Sequence, residues 1–185
     1  METTVKIING FSTEAIAGTV EAIVNNPKIA DFELRAENKW ITGGHNRSTI
    51  QGFYGACQED TSRTEPFVYD NDEPPLLLGK NLGANPAEVV LHGLLGCMTT
   101  AMVLLAAARG IEVSGVSSRV EGDIDLQGFL GLDAEMEKGF SQVRVVFDIE
   151  GASEEQKQEL LVLAQQSPMF NTLIQPVDVQ VSLKS

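Results

Sequence analysis

The sequence predicts an α+β fold built around one long buried helix, and three observations carry that expectation. Residues Asn85 to Gly110, NPAEVVLHGLLGCMTTAMVLLAAARG, form an almost charge-free run bounded by residues that start and stop helices. Period-two alternation of apolar and polar residues flanks that run on both sides. The order of elements is then strands, buried helix, strands, helix, strand, which groups strands together instead of alternating them one by one with helices.

The central helix is punctuated at both ends. Asn85 offers an N-cap side chain, Pro86 fits the first helical position, and Glu88 at the third completes a box-like cap. Arg109 lies in the last turn and Gly110 can stop the chain in a left-handed conformation. From Pro86 to Arg109 the helix would be roughly 36 Å long at about 1.5 Å per residue. No residue from Val89 to Ala108 carries a fixed charge, so a membrane span has to be weighed. Gly93, Gly96, Thr99, Thr100 and a run of alanines keep the stretch only moderately hydrophobic, and no basic flank or second apolar segment accompanies it. A helix apolar all round is more simply the centre of a domain or of a dimer. Gly93, Cys97, Thr100 and Ala101 share a face of small residues that would let another helix approach closely.

Ahead of this helix, Thr4 to Ile8 reads as a short strand, and Ser12 opens a helix that Asn25 and Asn26 end before Pro27. Asp31 to Trp40 and Ser48 to Ala56 alternate, with Gly43 and Gly44 between them, as a hairpin or meander. Phe67 to Tyr69 reads as a third short strand. Asn71 to Ala84 is a loop by its prolines and glycines; Leu76, Leu77 and Leu78 within it are too apolar to lie in water and are expected to cover something. After the helix, Val113 to Ile124 and Gln142 to Ile149 alternate as strands, joined by an apolar glycine-flanked loop at Asp125 to Gly139. Ser153 caps a helix through Gln166, with Glu154 and Glu155 placed against its positive end. Ser167 and Pro168 break that helix and begin a short helical turn. Val177 to Leu183 alternates as a final strand. Residues 1–39 thus form an N-terminal strand-helix-strand extension and residues 40–185 the main domain.

Composition excludes several classes of function. The chain has 185 residues, 13 Lys and Arg against 26 Asp and Glu, and a net charge of -13. Phosphate polymers and anionic membranes would be repelled at long range, so neither nucleic acid nor membrane is expected as a partner. METTVKIING lacks the basic region and long apolar core of a signal peptide. Two cysteines, Cys57 and Cys97, do not make a secreted disulfide framework, and a reducing cytoplasm is the expected compartment. His45 and His92 are the only histidines. Neither has carboxylates or cysteines at metal spacing beside it, so no metal site is expected, although His92 in an apolar helix can be a buried polar group near a pocket. GKNLGANP lacks the pattern of a phosphate loop, and no cofactor is expected.

Several spaced segments agree in order with one family. P-x-E-x-x-x-x-x-L-x-x-C at Pro86 to Cys97, R-G-I at Arg109 to Ile111, and S-P-M-F-N-T-L at Ser167 to Leu173 resemble the OsmC/Ohr family. Asp72 to Pro74 and Gly122 to Leu132 resemble an OsmC-like branch with an extra N-terminal helix. The resemblance runs from about Trp40 to the C-terminus. It implies antiparallel sheets around a long buried central helix, in an intertwined homodimer whose active sites use both chains.

The resemblance also implies chemistry. In the family a peroxidatic cysteine on the central helix attacks hydroperoxides, a second cysteine resolves the sulfenic acid to a disulfide, and an arginine and a glutamate hold the thiolate ready. Cys97 matches the peroxidatic position, and Arg47 matches the place from which the arginine comes, a solvated loop arginine being the equally weighted alternative. Ser167 stands where the second cysteine belongs, and a hydroxyl cannot form a disulfide. Cys57 is either an alternative resolving thiol or an ordinary strand-end cysteine. The family glutamate falls at Ala87, with Glu88 displaced by one and about 180° around the axis from Cys97 at roughly 100° per residue. Three functions remain in view: a thiol-dependent peroxidase that uses an external thiol reductant, a non-enzymatic dimer that binds a small apolar ligand or senses redox state, and a protein whose cysteine is merely structural.

Overall fold

The computed structural model describes residues 5–184; the Thr4 end of the first expected strand lies outside them. The fold is α+β, and its paired strands are antiparallel throughout. Two compact units share the chain. One comprises the residues through Thr13 and those from Leu91 onward; the other is Glu14–Val90.

The unit that contains the N-terminus begins with a small hairpin, β1 (Ile7–Ile8) and β2 (Phe11–Ser12). Ile8 is buried, and Asn9 turns the chain at φ 50°. The Asn9 side chain donates to the carbonyls of Val103 and Ile111 and accepts from the Val113 amide, at 3.3, 3.0 and 3.0 Å. It thereby ties the C-terminal part of the central helix to the segment that follows it.

The central helix α2 spans Pro86–Ala108, beginning in the other unit and running into this one. It stops as expected: Gly110 takes φ +75°, its amide donates to Ala107 O at 3.1 Å, and Ile111 N donates to Ala106 O at 2.9 Å, a Schellman closure. Leu94, Met98, Met102 and Ala106, each four residues from the last, form one buried stripe. That stripe joins Ile111, Ile149 and the buried face of α4 (Glu154–Ala164), namely Leu160, Leu163 and Ala164, in a single core. Val116 and Val120 from β8 (Gly115–Ile124), with Val143, Val145 and Phe147 from β9 (Phe140–Glu150), pack against it. A short α3 (Leu126–Phe129), capped by Asp125, interrupts the loop between these strands. Ser153 and Gln156 form a reciprocal capping box on α4.

One expected strand is missing from this unit. Val177 to Leu183 alternates as predicted but has no strand partner among the described residues. A strand is stable only with a ladder beside it, and here Val177, Val179, Val181 and Leu183 are all exposed.

The second unit opens with α1 (Thr13–Asn25), which Ser12 precedes as expected and which buries no residue. A one-turn 3₁₀ helix at Pro27–Ala30 follows. Its sheet orders β3 (Glu37–Thr42), β4 (His45–Ile50) and β7 (Phe67–Asn71) with β4 in the centre. The expected strand from Asp31 shrinks to Glu37 onward, since Glu33 makes only an isolated bridge to Tyr54. The expected strand Ser48 to Ala56 divides into β4 and β5 (Phe53–Gly55), which pairs with β6 (Gln58–Asp60). Ala56 and Cys57 link these two strands at φ 49° and 63°, the double positive φ that a two-residue type I′ hairpin needs. Cys57 is therefore a turn residue.

The loop from Asn71 to Ala84 is organised around Asp72. This buried carboxylate accepts from the amides of Glu73, Lys80 and Leu82 at 2.8, 3.0 and 3.2 Å. Burial, the largest single influence, pushes its carboxyl up, yet the three amides and His45 outweigh it and hold it below the usual range. Leu76 and Leu78 are 90% and 94% exposed, so they do not provide the expected cover within this chain.

Candidate functional site

Cys97 is a free, half-buried thiol near the middle of α2. Helical spacing sets it on the flank of the Leu94, Met98, Met102 stripe, beside Gly93 and Thr100. A side chain built at Gly93 or at Gly96 would meet no atom within 4 Å. The face of small residues next to Cys97 is therefore bare in the single chain.

Ser167 belongs to the same unit and is fully buried. It caps α5 (Pro168–Ile174): its hydroxyl accepts from Phe170 N at 3.3 Å, and its carbonyl accepts from the amide and side chain of Asn171 at 3.1 and 2.9 Å. Met169 and Phe170 pack against the core that contains Leu94 and Met98. The position of the expected second cysteine is thus occupied by a hydroxyl engaged in an N-cap.

Glu88 has the capping role that its displacement from the family position suggests. Its carboxylate accepts from Asn85 N at 2.9 Å, while the Asn85 side chain accepts from Ala87 N at 2.7 Å. His92 lies exposed on α2.

Arg47, His45 and Cys57 belong to the other unit. Arg47 is neither a loop residue nor simply solvated. It sits in β4 directly opposite Asp70 of β7 and, on the other side, opposite Lys39 of β3. Its Nε donates to Asp70 Oδ1 at 2.9 Å and its Nη2 to Oδ2 at 3.1 Å, while His45 Nε2 lies 2.8 Å from the same Oδ1. The Arg47 guanidinium, and then His45, hold the Asp70 carboxyl below the usual carboxylate range. Arg47 also borders an open groove of about 540 Å³ with Glu37, Lys39, Trp40, Ile41 and Thr49. Sequence reading missed Asp70. Its signal, an acid in a short strand that aligns with a basic residue of a neighbouring strand, appears only once the register is known. Among the described residues no three His, Cys, Asp or Glu side chains gather where a metal ion would be held.

Antiparallel sheets around a long central helix recur in known proteins. The family model described as OsmC-like protein matches residues 79–182, more than half of the sequence, and the chain belongs to that family. A search of curated proteins found no match. Among solved structures, an OsmC-like protein from Mycoplasma pneumoniae superposes with a TM-score of 0.59 at 18% identity, over 77% of this chain and 87% of that one. An organic hydroperoxide resistance protein OsmC from Legionella pneumophila gives 0.54 at 21% identity, over 76% and 88%. An OsmC-like protein from Vibrio cholerae gives 0.55 at 13% identity, over 76% and 92%. At these identities the likeness is one of fold.

Proposed function

We propose that the protein is a thiol-dependent peroxidase that reduces organic hydroperoxides through Cys97 and takes its electrons from an external thiol. The observation that carries this reading is the free, half-buried Cys97 on the uncovered flank of α2, inside the segment the family model matches. The hydroperoxide resistance named for the Legionella relative supports the substrate class. In the first step the Cys97 thiolate attacks the outer peroxide oxygen; the O–O bond breaks, the leaving alkoxide takes a proton, and Cys97 becomes a sulfenic acid. One external thiol then condenses with the sulfenic acid and releases water, and a second thiol breaks the mixed disulfide to return the Cys97 thiol. Arg47 is the arginine that the family resemblance assigns to this chemistry. A reducing cytoplasm supplies both thiols.

The working form is a homodimer. Supporting this are the bare small-residue face of α2, the exposed alternating residues from Val177 to Leu183, and the exposed Leu76 and Leu78. A single chain leaves these apolar residues in water, and a second copy would cover them. Light scattering at micromolar concentration is expected to give twice the 20.0 kDa chain mass. A stable particle of single-chain mass would overturn this.

The second reading, a binding or redox-sensing dimer without turnover, is favoured by one observation: Ser167 stands where a resolving thiol would be. A cumene hydroperoxide assay separates the two. Sustained, dithiothreitol-dependent consumption supports the enzyme, whereas a single equivalent consumed per chain, ending in a trapped sulfenic acid, supports the sensor.

The substitution Ser167→Cys restores the missing sulfur. Peroxide should then drive a disulfide between the new thiol and Cys97, seen by mass spectrometry without reductant, whereas the parent should show no bond between Cys57 and Cys97. Such a bridge needs Cα atoms within about 7 Å. A folded variant that never bridges would count against the site geometry. The cost of losing the Ser167 cap is on the order of 1 kcal/mol.

A further inference from the structure

We propose that Asn9 is a deamidation site guarded by the fold, so that its conversion marks each chain whose N-terminal hairpin has come away from the end of α2. The inference does not depend on the chemistry assigned to Cys97. Asn9 and Gly10 form the two-residue turn between β1 and β2, with φ of 50° and 83°. Asn-Gly, Asp-Gly and Gly-Gly all build a turn of this kind. The turn alone therefore does not call for asparagine. What asparagine adds is an amide with two N–H donors and an acceptor, whereas glycine has no side chain and an ionised aspartate only accepts. Both ends of that amide are used: Nδ2 donates to Val103 O and Ile111 O, and Oδ1 accepts from Val113 N.

The same pair is chemically labile, because glycine puts no side chain in the way of ring closure. No other asparagine of the chain is followed by glycine. The Gly10 amide nitrogen, once it has lost its proton to base, attacks Asn9 Cγ. The new N–Cγ bond closes a succinimide, the Cγ–Nδ2 bond breaks, and Nδ2 leaves as ammonia with a proton from water. A water molecule then opens the ring at either carbonyl, giving aspartate or isoaspartate. Nothing is oxidised or reduced, and water is the only co-reactant.

Folding holds this reaction back. Ring closure needs Cγ over the Gly10 nitrogen, but three hydrogen bonds aim the amide at α2 and the segment after it. Ile8, 2% exposed, anchors the hairpin, so the side chain is released only when the hairpin lifts. Gly10 is exposed, and base and water are at hand when that happens. Either product carries a carboxylate at neutral pH. Val103 O and Ile111 O would then face a negative charge in place of a donor, and the hairpin could not return to the same seat.

The experiment incubates the full chain in mildly alkaline buffer, with and without urea, and follows Asn9 by peptide mapping and mass spectrometry. In urea Asn9 should be the first asparagine to react. Hydrogen bonds of ordinary net strength should make the reaction in the folded chain slower on the order of a hundredfold. Ile8→Ala loosens the hairpin and leaves the Asn-Gly pair intact. It should speed the folded-state reaction at least about tenfold and leave the rate in urea unchanged. Asn9→Asp keeps the turn and mimics one product; its melting temperature should fall below the parent's, and the amides of residues 110–113 should exchange hydrogen faster. Equal parental rates with and without urea, an unreactive Asn9 in urea, an unchanged rate in Ile8→Ala, or a parental melting temperature in Asn9→Asp would each overturn the inference. Should Ile8→Ala not fold, the milder Ile8→Val decides, with acceleration again the expected result.

Discussion

Cys97→Ser is expected to bring dithiothreitol-dependent consumption of cumene hydroperoxide down to the rate without protein. Serine keeps nearly the shape of cysteine, but its hydroxyl is not ionised near neutral pH and its oxygen does not cycle through a sulfenic acid. The position is half-buried on the bare flank of α2, so folding should change by less than about 1 kcal/mol. The loss would then be chemical and not structural. Circular dichroism checks that the variant is folded, and a sulfenic-acid reagent should label the peroxide-treated parent but not the variant. Undiminished turnover in Cys97→Ser would remove Cys97 from the reaction altogether.

Leu160→Ala should be the most damaging of the conservative core truncations. Leu160 is fully buried in α4 and packs into the cluster formed by Leu94, Met98, Met102 and Ile149. Cutting such a leucine to alanine removes its transfer energy and leaves a cavity, at a cost of roughly 2–5 kcal/mol. For a chain of this size each kcal/mol lowers the melting temperature by roughly 2–4 °C. The comparison has to be made at one protein concentration, because association of chains adds to apparent stability. A change below about 1 kcal/mol would mean that the α4 face is not held against α2 as described.

Caps were the most legible part of the sequence, because they are local. Asn85, Glu88, Gly110, Ser153 and Ser167 all terminate helices where their residue types imply. The long strands on either side of the Asp125 to Gly139 loop were also readable, since each has a buried face at period two and a partner close in sequence. Features that depend on distant pairing were not. Val177 to Leu183 has the strand pattern without a ladder, and alternation by itself does not say where a partner will come from. The double left-handed turn at Ala56 and Cys57 has no glycine at either position; the chain adopts it without the residues that usually mark such a turn. At the candidate site, Cys97 stood out because a thiol in an apolar helix is chemically distinct. The partner of Arg47 did not, because Asp70 lies 23 positions away and only the β4–β7 register brings the two together.

Asn9 gives the first residues of the chain a role in how the last two thirds fold. Its side chain ties together backbone groups of Val103, Ile111 and Val113, between 94 and 104 positions further along. During synthesis the hairpin that carries Asn9 emerges well before the segment it closes, and must wait until the whole of α2 has been made. Closing so large a loop has an entropic cost that nearby contacts do not repay in advance. The end of α2 is accordingly among the late features to be secured in the growing polypeptide, and the Ile7–Ser12 hairpin acts as a clasp on it.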